Sequence, residues 1–207
     1  MISKQNPKSA RLDGRRLRSA RTKQAIVEAY VDLLREDPKI PTAAQIAERA
    51  GVSVRSVFER FSDLHELRVA ATDYTIFQVA SRAVAGDTGG DRATRLKNHV
   101  ETRGAICEAW LPLWRAMMVN KGDSPALNSR AMLARQAIIR RIEMMYQPEL
   151  STLPDPQRQH LLIVLEALID FESWARMREG HGLSPVEACE VWIEAIDRLL
   201  PQTPPVS

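Results

Sequence analysis

Apolar residues recur along the chain at spacings of three and four positions, and the pattern begins between Ser19 and Arg35. Ile26, Tyr30 and Leu34 mark its apolar stripe, which is the spacing of one helix face. No sustained alternation of apolar and polar residues indicates a strand, and aromatic residues make up only 5% of the chain. The pattern therefore predicts an all-α fold of about nine helices.

Capping residues, glycines and prolines divide the rest of the chain into further helices. Thr42 and Gln45 have the form of a capping box, and Gly51 can end that helix in a left-handed conformation. Ser53 can cap the next helix and Asp63 the one after it. The predicted helices after the first span residues 42–50, 53–61, 63–85, 91–107, 110–118, 125–146, 155–179 and 185–200.

Three regions are expected from this organisation. Residues 1–18 are predicted to be a flexible basic arm, residues 19–68 a helix-turn-helix domain, and residues 69–207 a regulatory and dimerisation domain. The glycine-rich stretch 86–90 is expected to be a loop, and the proline-rich tail is expected to be disordered.

Charge is distributed unevenly along the chain. The formal net charge is +3, yet residues 1–23 contain eight basic side chains and one acidic one. This indicates either a polyanionic partner for the basic end or a solvated tail without a partner, and charge alone leaves both open. No apolar run approaches the ~20 residues of a membrane helix, and no apolar segment follows the basic end as in a signal peptide. A cytoplasmic protein that makes no membrane contact is expected.

The two short helices joined at Gly51 have the helix-turn-helix arrangement. Small side chains at Ala47 and Ala50 allow the helices to approach, and Val57 and Phe61 attach the second helix to the rest of the domain. In such units the second helix enters the major groove of DNA, and its early residues reach base edges.

The stretch from Thr42 to Leu67 resembles the TetR family of transcriptional repressors. The family pattern consists of a Thr cap, an Ile-Ala pair, a turn, an aromatic residue, a basic residue followed by Phe, and a closing Leu. In this chain these features fall, in the same order, on Thr42, Ile46-Ala47, Ala50-Gly51-Val52-Ser53, Phe58, Arg60-Phe61 and Leu67. The resemblance implies a DNA-binding head, a variable helical C-terminal domain, and a homodimeric repressor that responds to a ligand. Its operator would be near-palindromic double-stranded DNA.

Two positions depart from the family pattern. Phe58 stands where the family usually has Tyr, so a hydroxyl that commonly contacts a phosphate is missing. Leu64 stands where the family usually has Lys at the start of the fourth helix, although a helix N-terminus can itself bind phosphate. Arginines of the basic arm are expected to compensate through phosphate or minor-groove contacts.

Arg55 is the best candidate for reading a guanine, because an arginine can contact O6 and N7 together. Arg60 is a candidate phosphate contact, Phe61 is expected in the core, and Phe58 could be either core or contact. The candidate DNA-binding residues are Thr42, Ser53, Val54, Arg55, Ser56, Phe58, Arg60, Arg15, Arg16, Arg18 and Arg21.

The last two predicted helices carry apolar faces wider than one partner surface needs. The family resemblance implies that they pack against their copies in a second chain, and the alternative is burial within one chain. A symmetric dimer would place two recognition helices about 34–36 Å apart. The candidate interface residues are Leu161, Leu165, Leu168, Ala175, Val191, Trp192, Ala195 and Leu199.

The family commonly uses its central helices to sense a small molecule. Aromatic and methionine side chains at helical spacing suit an adaptable apolar pocket, although they are also typical of a plain core. A small apolar or amphipathic effector is expected if the pocket exists. The candidate ligand-binding residues are Arg103, Trp110, Trp114, Met117, Met118, Asp170 and Glu172.

Two other functions compete with a DNA-binding regulator. An enzyme would need a catalytic or phosphate-binding motif, and none is present; the four histidines show no metal-ligand spacing, and no cofactor or metal is expected. The second is a TetR-like module that acts through protein or small-molecule contacts after losing DNA recognition. Phe58 and Leu64 give that alternative some weight.

Overall fold

A computed structural model describes residues 7–84 and 89–205 of the chain. In these ranges the chain forms ten α-helices and one π-helical turn, without a strand, so the all-α prediction is confirmed. The helices are α1 (Pro7–Glu36), α2 (Ala43–Ala50), α3 (Val54–Phe58), α4 (Leu64–Val84), α5 (Arg92–Asn120), α6 (Pro125–Met145), α7 (Gln147–Leu150), α8 (Asp155–Leu168), α9 (Phe171–Ala175) and α10 (Pro185–Leu199), with the π turn (Arg176–Gly180) after α9.

The first helix begins at Pro7, not at Ser19, and the prediction of a flexible arm over residues 7–18 is wrong. Proline suits the first position of a helix, because the N–H that it lacks would have no helical partner there. The alanines, leucines and arginines that follow favour helix enough to offset Gly14. Residues 1–6, the remainder of the predicted arm, lie outside the described residues.

The segment predicted as two helices over residues 91–118 is one continuous helix, α5, with Pro112 inside it. A proline inside a helix removes one backbone hydrogen bond. The helix continues because its apolar side is unbroken across the proline, with Trp110, Leu111 and Leu113 all buried. Burial of these side chains outweighs the local cost.

The segment predicted as one helix over residues 155–179 is interrupted at Asp170. α8 ends at Leu168, and the Asp170 carboxylate accepts a hydrogen bond from the Ser173 N–H to cap α9. The break turns the chain so that both Ile169 and Trp174 are buried. A further short helix, α7, occupies part of the loop predicted for residues 147–156.

The buried residues form one hydrophobic cluster to which all ten helices contribute. α1 packs on α2, α4 and α5, whereas α5 also packs on α6, α9 and α10. The division of the chain at residue 68 stays a prediction, and the core is continuous across it. None of the helices in the described ranges is long and apolar enough to cross a membrane.

A buried ion pair fastens the C-terminal tail to the body. Arg95 of α5 donates to Glu149 of α7, and the Thr203 hydroxyl donates to the same carboxylate oxygen. Arg92 donates to the backbone carbonyls of Leu200 and Pro201. The prediction of a disordered tail is therefore wrong as far as Thr203, because buried charge needs partners and the tail supplies them.

Gly104 allows α5 to approach the C-terminal helices closely. A Cβ atom at this position would lie 2.9 Å from Cys189 Sγ and 2.9 Å from Trp174 Cη2. Trp174 is itself fully buried and packs against Trp192, with 5.0 Å between ring centroids. The indole therefore has no free space into which it can move.

We expect Gly104→Ala to lower the free energy of unfolding by about 1–2 kcal/mol. Overpacking at this close contact should cost about 2–3 kcal/mol, and the gain of ~1 kcal/mol in helix propensity offsets part of that cost. Urea denaturation followed by circular dichroism measures the change.

Gly180→Ala is the matched control, because a Cβ there would meet its nearest atom at 3.7 Å. This variant should stay within about 1 kcal/mol of the original chain. An unchanged stability for Gly104→Ala would show that α5 and α9 can separate at little cost.

Candidate nucleic-acid interface and central cavity

α2 and α3 form a helix-turn-helix held by local capping contacts. Thr42 Oγ1 accepts from the Gln45 N–H at 3.3 Å, and Gln45 Oε1 accepts from the Thr42 N–H at 2.8 Å. Gly51 ends α2 with φ 65°, in the left-handed region that glycine occupies without strain. The capping box and the glycine turn are both confirmed.

The exposed side of α3 presents a mixed apolar and cationic surface. Val54 and Phe58 are 41% and 47% exposed, and Arg55 lies beside them with its side chain 88% exposed. On the opposite side, Val57 and Phe61 are buried. The Phe58 ring therefore lies on the surface and not in the core, and its contact with DNA stays a prediction.

Two of the candidate DNA-binding residues, Ser53 and Ser56, form the N-terminal cap of α3. Ser53 Oγ accepts from the Ser56 N–H at 3.1 Å, and the two serine hydroxyls lie 3.0 Å apart. α3 ends at Phe58, earlier than predicted, and a turn carries Glu59 and Arg60.

Glu59 is hydrogen-bonded to both arginines of this segment. Its carboxylate accepts from Arg55 Nε at 3.0 Å and from Arg60 Nη1 at 3.2 Å. Hydrogen bonds from Arg55 and then Arg60 lower the pKa of Glu59. Arg60 is also largely buried, with 23% of its side chain exposed, so Arg55 is the arginine of α3 that can reach outward.

The start of α4 is acidic, which contradicts the expectation that its N-terminus could bind phosphate. The Asp63 carboxylate accepts from the Glu66 N–H at 2.7 Å, and Glu66 accepts from the Ser62 N–H at 2.7 Å. The backbone hydrogen bond from Ser62 lowers the pKa of Glu66. Two carboxylates therefore stand where an anion would bind, and Leu64 adds no cation.

Cations of α1 lie close to the turn after α3. The side chains of Arg16, Arg18 and Arg21 are exposed, and the backbone at Arg15 belongs to the same helix. Arg18, Ser19 and Thr22 line a polar cleft of about 400 Å³ together with Glu59 and Arg60. Arg18 therefore lies beside the helix-turn-helix at a position that α1 fixes.

A cavity of about 670 Å³ lies between α1, α4, α5, α6, α8 and α9. Six of the seven predicted ligand-binding residues are in its wall, namely Arg103, Trp110, Trp114, Met117, Met118 and Asp170. Glu172 is not, because its carboxylate points outward and pairs with Arg115. That prediction is wrong, since the helix break at Asp170 turns Glu172 away from the cavity.

The polar groups of the cavity wall include several that the sequence analysis missed. His99 Nδ1 lies 2.8 Å from the Tyr146 hydroxyl, and Arg135 forms two hydrogen bonds with Glu166, at 3.0 and 2.8 Å. Thr72 and Thr75 of α4 are buried in the wall with their hydroxyls bonded to backbone carbonyls. A signal for His99 was present, since Arg95, His99 and Arg103 recur every four residues on the apolar side of α5.

The candidate dimer residues divide between core and surface. Leu165, Ala175 and Trp192 are buried within the single chain, so they are corrected from interface to core residues. Leu161, Leu168 and Ala195 are half-buried, whereas Val191 and Leu199 are exposed. On α10 an outward stripe of Val191, Ala195 and Leu199 remains, and Ile163 and Val164 are exposed on α8.

Comparison with known proteins identifies the fold through solved structures. No protein-family model matches the sequence, and no curated protein matches it significantly. A TetR-family transcriptional regulator from Streptomyces coelicolor has a TM-score of 0.74 at 19% identity, covering 86% of this chain and 79% of that one. A transcriptional regulator from Rhodococcus sp. Rha1 has a TM-score of 0.71 at 20% identity, covering 88% and 99%.

A third match is LfrR, a TetR-like regulator from Mycobacterium smegmatis solved in complex with proflavine. Its TM-score is 0.59 at 18% identity, and the match covers 89% of this chain and 99% of that chain. The chain has the TetR fold, and the resemblance seen in residues 42–67 is confirmed at the level of fold.

His99 gives the cavity a measurable pH signature. Burial first, and then the positive charges of Arg141 and Arg103, lower its pKa to about 3. The unfolded chain binds a proton at His99 below pH ~6.5 and the folded chain does not. The contribution of His99 to stability is therefore complete above pH ~6.5 and is lost as the pH falls towards the folded pKa.

Between pH 7.5 and pH 5.0 this linkage should cost about 2 kcal/mol of unfolding free energy. His99→Gln removes it, so the original chain should lose about 2 kcal/mol more than the variant over that interval. Urea denaturation at each pH, at one protein concentration, gives the difference. His160→Gln, at an exposed position, is the control, and parallel pH curves for His99→Gln and the original chain would contradict the assignment.

Proposed function

We propose that this protein is a TetR-family transcriptional regulator that binds a near-palindromic DNA operator as a homodimer and responds to a small molecule. The exposed side of α3 is the observation that supports this proposal most directly. α3 stands on the Gly51 turn with Val54, Arg55 and Phe58 directed away from the core. A second helix that is free on one side is what major-groove reading requires.

Under this proposal the side chains of α3 have different roles in binding DNA. Arg55 leaves its hydrogen bond with Glu59 and donates instead to O6 and N7 of a guanine. Val54 and Phe58 contact thymine methyl groups. The Thr42 hydroxyl and the Ser53 and Ser56 hydroxyls hold the caps, so their contribution is to position the two helices.

Phosphate contacts in this proposal come from α1. Arg16, Arg18 and Arg21 are exposed on the helix that enters the domain, and Arg18 shares a cleft with Arg60. They replace the anchors missing at Phe58 and Leu64, and each phosphate neutralised adds to the salt dependence of binding.

The homodimer in this proposal forms through α8 and α10. Val191 and Leu199 are separated by two helical turns on the outer side of α10, with Ala195 between them. A stripe of this kind buries its apolar area by packing against its own copy around a two-fold axis. The dimer then presents two α3 helices to successive major grooves.

A ligand response is favoured by the helices that the cavity shares with the helix-turn-helix domain. Tyr30, Val31 and Leu34 of α1 line the cavity and belong to the domain core. Trp110 of α5 lies under the Arg35 guanidinium of α1, 4.5 Å from the ring centroid. A ligand that binds one arrangement of α1 and α4 better shifts the spacing of the two heads and releases the operator, as a repressor requires.

The alternative is a TetR-like module without DNA recognition. The acidic start of α4 and the Glu59 carboxylate both favour it, because negative charge near the interface repels phosphate. DNA selected from a random pool distinguishes the two functions. A near-palindrome with half-sites about 10 base pairs apart supports the regulator, and a selected pool without sequence preference supports the module.

Arg55→Ala tests the reading of bases. We expect the selected site to lose its preference at one position in each half-site, and affinity for the original site to fall by about 1–3 kcal/mol. Fluorescence anisotropy with the selected duplex measures the affinity.

The control for Arg55→Ala is Arg140→Ala, an equal loss of charge at an exposed position on α6. It should leave both the selected site and the affinity within twofold of the original. If the two variants weakened binding equally and left the base preference intact, Arg55 would be a general electrostatic contact instead of a base contact.

Val191→Asp tests the dimer. Because Val191 is 46% exposed in the single chain, an aspartate there should leave the fold intact but place two charges in the apolar interface. Sedimentation velocity at micromolar concentration should show a dimer for the original chain and a monomer for the variant.

Val119→Asp is the matched control, at a position 79% exposed at the end of α5. It should sediment as a dimer with an unchanged helical circular dichroism spectrum. A monomeric original chain, or a dimeric Val191→Asp variant, would reject the α10 interface.

A further inference from the structure

We propose that the central cavity binds an organic anion with an apolar body, and that Arg103 pairs with the anionic headgroup. The inference specifies the effector class of the proposed function and rests on that function only for its regulatory consequence. Binding itself is a property of the cavity and can be measured without DNA.

The cavity wall carries an excess of positive charge. Six cationic side chains line it, against two acidic ones, Glu166 and Asp170. Glu166 is already paired with Arg135, and Asp170 is committed to capping α9. Both carboxylates therefore have partners already, and neither is available to a cationic ligand without breaking a contact of the fold.

Arg103 is buried but incompletely hydrogen-bonded. Only 6% of the residue is exposed. Its Nε donates to the Ile169 carbonyl at 2.8 Å and its guanidinium lies 4.7 Å from the Phe171 ring centroid, while Nη2 has no hydrogen-bond partner in the described part of the chain. A buried donor without a partner is costly, and a charged one especially so.

The carboxylate of Asp170, the residue after Ile169, caps α9 through the Ser173 N–H and makes no hydrogen bond or ion pair with Arg103 within the described residues. Burial lowers the pKa of His99, and the two side chains that act on it electrostatically, Arg141 and Arg103, are both cationic. A ligand anion would supply the missing acceptor, and a carboxylate is matched in shape to the guanidinium fork.

The rest of the wall selects an apolar body. Trp114 and Phe171 stack at 5.0 Å between ring centroids, next to Met117 and Leu113. The volume of about 670 Å³ lies within the range of sites for small organic ligands. A site with one desolvated cation and a large apolar surface binds an amphipathic anion more tightly than an inorganic anion or a neutral hydrophobic molecule.

Thermal unfolding of the full-length protein with four matched compounds tests the inference. Octanoate has both features, acetate has the carboxylate alone, octan-1-ol has the apolar chain alone, and octylammonium reverses the charge. A ligand that binds only the folded state raises Tm as a function of its concentration. We expect octanoate to raise Tm at concentrations at least tenfold lower than any of the other three.

Arg103→Met keeps the length of the side chain and removes the charge. We expect it to weaken octanoate binding by about 10- to 100-fold, the usual loss for a hydrogen bond to a charged group. Lys97→Met is the control, because Lys97 lies on the same helix with its side chain 66% exposed; it should not change octanoate binding. Equal effects of the two substitutions would show that only net charge matters, and would overturn the role of Arg103.

The comparison of the four compounds decides the question even where Arg103→Met does not fold. Equal stabilisation by octanoate and octan-1-ol, preference for octylammonium, or no stabilisation by octanoate would each overturn the proposal. Octanoate binding by a protein that selects no DNA sequence would reject the regulator and keep the anion site. Sequence-specific DNA binding by a protein that does not prefer octanoate would keep the regulator and reject the anion site.

Discussion

The rest of the structure depends on the packing of α1. Its buried side chains Ile26, Tyr30 and Leu34 form the core against α2 and α4, and the same helix packs on α5 and lines the cavity. The helix-turn-helix therefore has no core of its own that is independent of the body. A change in the cavity that moves α1 by a fraction of a helical turn must also move α2 and α3, since close-packed interiors transmit displacement instead of absorbing it.

Under the proposed function, the charges around α3 favour selectivity for a DNA sequence over affinity for DNA in general. The Arg55 side chain lies on the surface but is bonded to Glu59, which also bonds Arg60. Surface ion pairs of this kind contribute little to stability. In the proposed DNA complex, these ion pairs would restrain Arg55, and Glu59 would repel a phosphate. A base that replaces the carboxylate with two hydrogen bonds would then be favoured over a non-specific contact with the DNA backbone. In the proposed complex the exposed arginines of α1 would supply non-specific attraction, and Arg18 lies in the same cleft as this carboxylate.

Local signals predicted the fold well, and the errors arose where distant packing decides. The Thr42–Gln45 capping box and the Gly51 turn need only neighbouring residues, and both are present in the structure. The continuation of α5 through Pro112 and the break at Asp170 depend on side chains that the body buries. Likewise, the wide apolar stripes of α8 and α10 gave no indication that Trp192 lies inside and Val191 outside. The buried series Arg95, His99 and Arg103 was visible as polar residues at four-residue spacing on an apolar face, and it could have located the polar wall of the cavity.

Arg95 and Arg103 show why burial of similar charges has different consequences along one helix. Arg95 is paired with Glu149, and Thr203 of the tail adds a hydrogen bond to the same carboxylate. Arg103, two turns later, donates to a backbone carbonyl and lies against an aromatic ring, and its Nη2 has no hydrogen-bond partner among the described residues. A chain selected for stability alone would gain from an apolar residue at that position, because a buried charge without a partner is destabilising. A guanidinium kept in an apolar cavity is instead the arrangement of a binding site, in which stability is lost so that a ligand anion can restore it.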